Sequence, residues 1–206
     1  MILKDILAAA VAGETLDPAR LAFLLELKEP GDLEALYRAA YQVKLRYIDS
    51  KVRLRGLIEV SNVCGKNCFY CGIRGGNRKV ARFTMSLEEI VAAARHAAEF
   101  RYGSVVLQAG ERSDPGWVDF IENAVREIKK LDGGRLGITL SLGEQSEETF
   151  RRWFDAGAHR YLLRIESSDP ALYAKLHPAD HSYAARVESL HLLRKTGYQV
   201  GTGVMV

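Results

Sequence analysis

Cys64, Cys68 and Cys71 are the only cysteines in a chain of 206 residues, and they stand within one short stretch, VCGKNCFYCGIR. Thiols this close can bind a metal or a cluster, close one disulfide and leave a spare, or be buried as small apolar groups. Burial gives no reason for the clustering, and a disulfide leaves one thiol idle. A structural zinc takes four protein ligands, whereas the nearest histidine, His96, falls inside a predicted helix. A four-iron cluster held at three corners uses all three thiolates and leaves its fourth iron open to an exogenous ligand. Zinc, or a purely structural role, stays open as the alternative.

The rest of the composition sets the frame. With 48% hydrophobic and 27% charged residues the chain is ordinary for a soluble globular protein, and its length allows one sizeable core or two small ones. A formal net charge of +3 is too weak to argue for nucleic acid or for a membrane surface. No apolar run approaches a bilayer-spanning length, no signal-peptide pattern opens the chain, and the local, odd set of thiols is unlike a secreted disulfide framework. These features predict a cytoplasmic protein.

Periodicity divides the chain into a helical segment over 1–50 and an alternating body over 51–206. Helices are predicted over 2–12, 18–28 and 32–49, the second with Asp17 as N-cap and Pro18 at its first position. RLRGLIEV reads as a first strand leading into the cysteine loop. Then SLEEIVAAARHAAEF (helix, with a Ser86/Glu89 capping box), SVVLQAG (strand), WVDFIENAVREIKKL (helix), GITLSLG (strand), SEETFRRWFDAG (helix), RYLLRIES (strand), a helical turn over 170–176, SYAARVESLHLLRKTG (helix) and QVGTGVMV (strand) follow in turn. The strands read as mostly apolar with little alternation, as expected when both faces are covered. The alternation predicts a parallel sheet, doubly wound or curled into a barrel. Val206 falls inside the last apparent strand with no helix after it, so the pattern predicts a piece of a longer protein with five of eight βα units; a complete open sheet is the alternative.

The motif C-x3-C-x2-C, with an aromatic before its third cysteine and directly after a first strand, resembles the radical S-adenosylmethionine (SAM) superfamily. RGLIEVSNVCGKNCFYCGIRGGN, VLQAGE, ITLSLGE, YLLRIESSDP and GTGVMV together resemble its [FeFe]-hydrogenase maturase branch of the HydE type, with biotin synthase and methylornithine synthase as relatives. The resemblance implies a (β/α)8 TIM-type barrel with a [4Fe-4S] cluster at its C-terminal mouth, ligated by Cys64, Cys68 and Cys71. The open iron would chelate SAM, and an electron from the cluster would cleave it to methionine and a 5′-deoxyadenosyl radical. The implied role is assembly of the dithiolate bridge of the hydrogenase H-cluster, on a small-molecule or organometallic substrate. A reductant such as flavodoxin or ferredoxin and other hydrogenase maturases are the implied partners. Radical chemistry on a small amino acid, or a non-enzymatic iron–sulfur or zinc scaffold, are the alternatives.

The same resemblance names SAM contacts at the strand ends, where barrels keep their chemistry. Tyr70 would lie near the adenine. Ala109, Gly110 and Glu111 would meet the SAM amino group, and Ser141 and Glu144 would face the mouth. Glu166 would take the ribose hydroxyls, with Arg164 beside it, since period-2 geometry turns both the same way. Arg186 would pair with the SAM carboxylate, although the preceding loop is one residue longer than the family pattern. Met205 would lie near the substrate. Ile165 stands where the family usually has histidine, which bears on substrate identity. His159, His177, His181 and His191 share no ligand spacing and are read as surface or loop residues. Arg74, Arg78, Lys79 and Arg82 are read as a solvated face, or as a guide for an acidic electron donor.

Overall fold

The computed structural model describes residues 2–205, so the expectation for Val206 lies outside the described residues. The chain divides into two units, Met1–Val52 and Arg53–Val206. The first unit holds α1 (Leu3–Ala12), α2 (Pro18–Leu25) and α3 (Pro30–Tyr47). Asp17 caps α2 by accepting the Arg20 N–H at 2.8 Å, and Pro18 takes the first turn, where a missing N–H costs nothing. Gly13 ends α1 in the left-handed region at φ 92°.

The second unit alternates strand and helix: β1 (Gly56–Ser61), α4 (Leu87–Glu99), β2 (Ser104–Ala109), α5 (Pro115–Lys129), β3 (Gly137–Ser141), α6 (Glu147–Ala156), β4 (Arg160–Leu162), α7 (Pro170–Leu176), α8 (Tyr183–Thr196) and β5 (Gln199–Gly201). Side-chain oxygens start the helices. Ser86 and Glu89 form the expected capping box on α4, Asp114 accepts from Trp117 on α5, and Ser146 and Ser182 cap α6 and α8. β4 stops at Leu162 and β5 at Gly201, both shorter than the sequence suggests: the Ile165 N–H goes to the Thr202 hydroxyl, and pairing resumes only as an isolated parallel bridge between Glu166 and Val204.

All five strands are parallel and lie in the order β1-β2-β3-β4-β5. A doubly wound sheet reverses its order at a switch point; this one never does. Right-handed crossovers between consecutive neighbours then place every helix on one face, and a sheet wound this way curls toward a barrel. The helix-facing row is the core: Ile58, Val60, Val105, Leu107, Ile138, Leu140, Tyr161 and Leu163, packed on Trp117, Ile121, Ile128, Phe150 and Trp153. The opposite face carries one row of Leu57, Val106, Thr139, Arg160 and Gln199, and next to it Glu59, Gln108 and Ser141. The expected lack of alternation is therefore corrected. One face is apolar and covered, while the other mixes Leu57, 59% exposed, with groups such as Gln108, which donates to Glu59 at 2.9 Å. A curled sheet has an inside and an outside with different neighbours, whereas a flat sandwiched one does not.

Trp153 joins α6 to α5. It is fully buried, and its indole N–H donates to the Val118 carbonyl at 3.0 Å. Trp153→Ala removes that bond and leaves a cavity, and should cost about 3–5 kcal/mol in chemical denaturation of the chain. A loss below about 1 kcal/mol would contradict this packing role.

Candidate metal-cluster and cofactor site

The cysteine loop leaves β1 and folds back over the end of β2. The first tie is backbone: Gly110 N–H donates to the Ser61 carbonyl at 3.1 Å and Gly65 N–H to the Glu111 carbonyl at 2.9 Å. Cys64 Sγ accepts two amides, from Lys66 at 3.4 Å and from Glu111 at 3.3 Å, which fix the sulfur against the end of β2. Gly110 makes this approach possible. A Cβ there would lie 2.3 Å from the Val63 carbonyl oxygen and 2.6 Å from Cys64 Cβ. What presses on the Gly110 backbone is thus the cysteine loop itself.

Side chains tie down the rest of the loop. Arg82, expected in a solvated basic run, is a clamp. Its guanidinium donates to the carbonyls of Asn62, Ile73 (2.7 Å), Arg74 (2.7 Å) and Asn77 (3.1 Å). Arg74 likewise turns back to the Cys71 carbonyl at 2.9 Å. Asn67 accepts the Gly76 N–H, and Asn62 holds the Ala81 carbonyl and the Phe83 N–H. His177 and His181 are corrected too: they are 2% and 8% exposed, and their rings bond Tyr70 and the Asn67 backbone. All three thiols stay free and half-buried. Burial pushes the Cys68 thiol up. Among the described residues no three His, Cys, Asp or Glu side chains converge on a point for a single metal ion.

Beside the thiols lies a network of charges. Lys66 bridges Glu111 at 3.3 Å and Glu144 at 3.1 Å, while Arg186 pairs its Nε–H with Glu144 and donates to the Arg164 carbonyl at 3.0 Å. Arg186 is 8% exposed, so it is no surface helix residue. Burial pushes the Glu111 carboxyl up, more than the Glu144 amide and Lys66 restore. Burial acts the same way on Glu144, but Arg186 and Lys66 outweigh it and hold that carboxyl low. Burial alone would pull Lys66 down; its two carboxylates hold it up. Two neighbouring acids are thus driven in opposite directions, a pattern common where charged ligands or protons are handled. Gly143, at φ 77°, admits the Glu111 carboxylate, whose Oε2 would otherwise meet a Cβ at 2.2 Å.

Glu166 and Arg164 meet, at 3.3 Å, though no regular strand carries them. Glu166 sits at φ 64°, a strained value for a residue with a side chain, and is held by the Gly203 carbonyl and the Met205 N–H. Its Oε2 is buried and has no hydrogen-bond partner in the protein. An orphaned carboxylate oxygen in a strained residue suits a ligand's donor. Arg164 is half exposed and Met205 is 39% exposed; Ser141 ends β3 on the inner face. Tyr70 extends its hydroxyl to His177 at 3.1 Å, and burial raises its phenol well above the usual range.

A family model for the radical SAM superfamily matches residues 58–206. The chain belongs to the radical SAM superfamily. It is 44% identical over 183 residues to the [FeFe] hydrogenase maturase subunit HydE of Thermotoga maritima, covering 88% of this chain and 51% of that protein. Biotin synthase of Bacillus pumilus is 30% identical, over 88% of this chain and 56% of its own. The crystal structure of methylornithine synthase (PylB) superposes with a TM-score of 0.85 at 28% identity, over 97% of this chain and 58% of that one. The chain therefore spans about half the length of the curated relatives it matches. Its five βα units are those of a radical SAM TIM-type barrel. No described helix is long and apolar enough to cross a membrane. The superfamily implies a [4Fe-4S] cluster and SAM, and the residues present fit both: three free thiols on one loop, a charged network beside them, and an unsatisfied buried carboxylate oxygen.

Two expectations follow. Gly110→Ala should push the cysteine loop off β2 and reduce reconstituted iron severalfold, while the melting temperature of the chain changes little; unchanged iron content would contradict the contact. His177, whose ring is held below its ordinary value of 6.5 by burial, is neutral in the fold. Its contribution to stability is present above about pH 6.5 and is lost as pH falls through the lower folded value. Stability measured between about pH 7 and 5 should fall on acidification, and His177→Gln should flatten that slope; an unaltered slope would contradict it.

Proposed function

We propose that this chain binds a [4Fe-4S] cluster through Cys64, Cys68 and Cys71 and cleaves SAM reductively, in the maturation of [FeFe] hydrogenase. The observation that carries the reading is three free cysteines on one loop, without a fourth, set beside Glu111, Glu144, Lys66 and Arg186 at the strand ends. The likeness to the Thermotoga maritima maturase supports the choice of pathway. When bound, the cluster would supply the electron that breaks a sulfonium C–S bond of SAM.

The chain's own residues would bind and orient. Arg186 spends two of its N–H groups on Glu144 and Arg164, and its remaining donors suit a carboxylate. Glu111, with Ala109 and Gly110, would receive the ammonium group, helped by Glu144. The free Oε2 of Glu166 would accept from a ribose hydroxyl, and Tyr70 would flank the adenine. Ser141, Arg164 and Met205 would line the way to an organometallic iron–cysteine substrate. Flavodoxin or ferredoxin is the proposed reductant, with other hydrogenase maturases as partners, in an anaerobic cytoplasm. A second reading, a small amino acid as substrate, is favoured by the overlap with methylornithine synthase.

Anaerobic reconstitution of the full chain tests this. We expect close to four irons per chain, with methionine and 5′-deoxyadenosine formed from SAM under reductant; Cys64→Ser should abolish both products. Stoichiometric zinc without SAM cleavage would overturn the proposal. Stimulation of 5′-deoxyadenosine by a free amino acid, and not by an iron–cysteine complex, would select the second reading.

A further inference from the structure

The segment Leu176–His181, from the last residue of α7 into the loop before α8, grips the residues on both sides of Cys68 at three points. Asn67 N–H donates to His181 Nε2 at 3.1 Å, Phe69 N–H to the Leu176 carbonyl at 3.0 Å, and Tyr70 O–H to His177 Nε2 at 3.1 Å. The two imidazoles are built alike. His177 Nδ1 lies 2.8 Å from the Tyr173 carbonyl and His181 Nδ1 2.8 Å from the Asp180 carboxylate. Both of those partners only accept, so each Nδ1 carries the proton and each Nε2 offers its lone pair. A backbone N–H can only donate, so the Asn67 contact requires that lone pair. His177 is further fixed by stacking on Tyr173, with ring centroids 3.9 Å apart. Residues 67–70 belong to no helix or strand, and the loop's own bonds there include the turn from Cys71 N–H to the Cys68 carbonyl and the Gly76 N–H to the Asn67 side chain.

We propose that His177 and His181 are positioning residues, whose neutral imidazoles hold residues 67–70 so that Cys68 is presented to the cluster. This rests on the [4Fe-4S] site proposed above and adds the part that keeps one of its ligands in place. Partners that orient metal ligands are worth a large factor in retention, because a misplaced thiolate must first be ordered. The clamp comes from the chain between α7 and α8, which supplies both imidazoles.

The test is iron release from the reconstituted full chain to a chelator, followed by the loss of cluster absorbance. His181→Leu should release iron about 10- to 100-fold faster than the wild type. His181→Gln, whose side-chain oxygen can accept the Asn67 N–H, should stay within a few-fold of the wild type. Asp180→Ala removes an exposed carboxylate that sets the tautomer, and should speed release with an unchanged melting temperature. Wild-type release from His181→Leu, or equal failure of Gln and Leu, overturns the clamp alone. If the Leu variant does not fold, wild-type release from Asp180→Ala overturns it. A wild-type chain that takes up no cluster overturns the proposed function, and the clamp with it.

Discussion

The contact between the cysteine loop and the end of β2 is the constraint on which the site depends. Parallel pairing of β1 with β2 runs on past the regular strands, through Gly110 to Ser61 and Gly65 to Glu111, so the loop is registered by the sheet rather than left to wander. That registration sets Cys64 under the Glu111 amide and brings the Glu111 side chain to the Gly143 turn above β3. Three consecutive strand ends are thereby locked into one geometry. Without a side chain at Gly110 and Gly143 the pieces can close; with one, they cannot.

Electrostatics makes the second layer. Two half-buried carboxylates, one lysine and one arginine share a small volume next to the thiols. Leaving any one of these charges unpaired would be expensive, so the set is stable only as a network or with a charged ligand in exchange. That suits the zwitterionic amino-acid moiety proposed for this site: an ammonium would compete with Lys66, and a carboxylate with Glu144. The opposed displacement of the Glu111 and Glu144 carboxyls comes from the same asymmetry, since Arg186 stands beside only one of them in direct contact.

Much of this was legible in the residues. The thiol spacing, the helix caps at Asp17 and Ser86, and the βα alternation are local features, decided within a few positions of chain. The SAM roles of Arg186 and Glu166 came into view only through a family resemblance; Arg186 is buried and Glu166 is half-buried. What local reading missed is long-range. Asn67 and His181 are 114 residues apart, Tyr70 and His177 are 107, and no periodicity links them. The contacts of Arg82, an exposed side chain, were hidden because its four partners are backbone carbonyls, which have no signature in sequence. The covered and open faces of the sheet were likewise hidden, because curling is a property of strand order and not of any one strand.

The most direct measurement is Mössbauer spectroscopy of the full chain reconstituted with iron-57 in the absence of oxygen, with and without SAM. A cubane in which SAM changes one iron and leaves three alone is predicted, since this chain offers three cysteines and no fourth. A spectrum without a cubane, or one that SAM leaves unchanged, would contradict it.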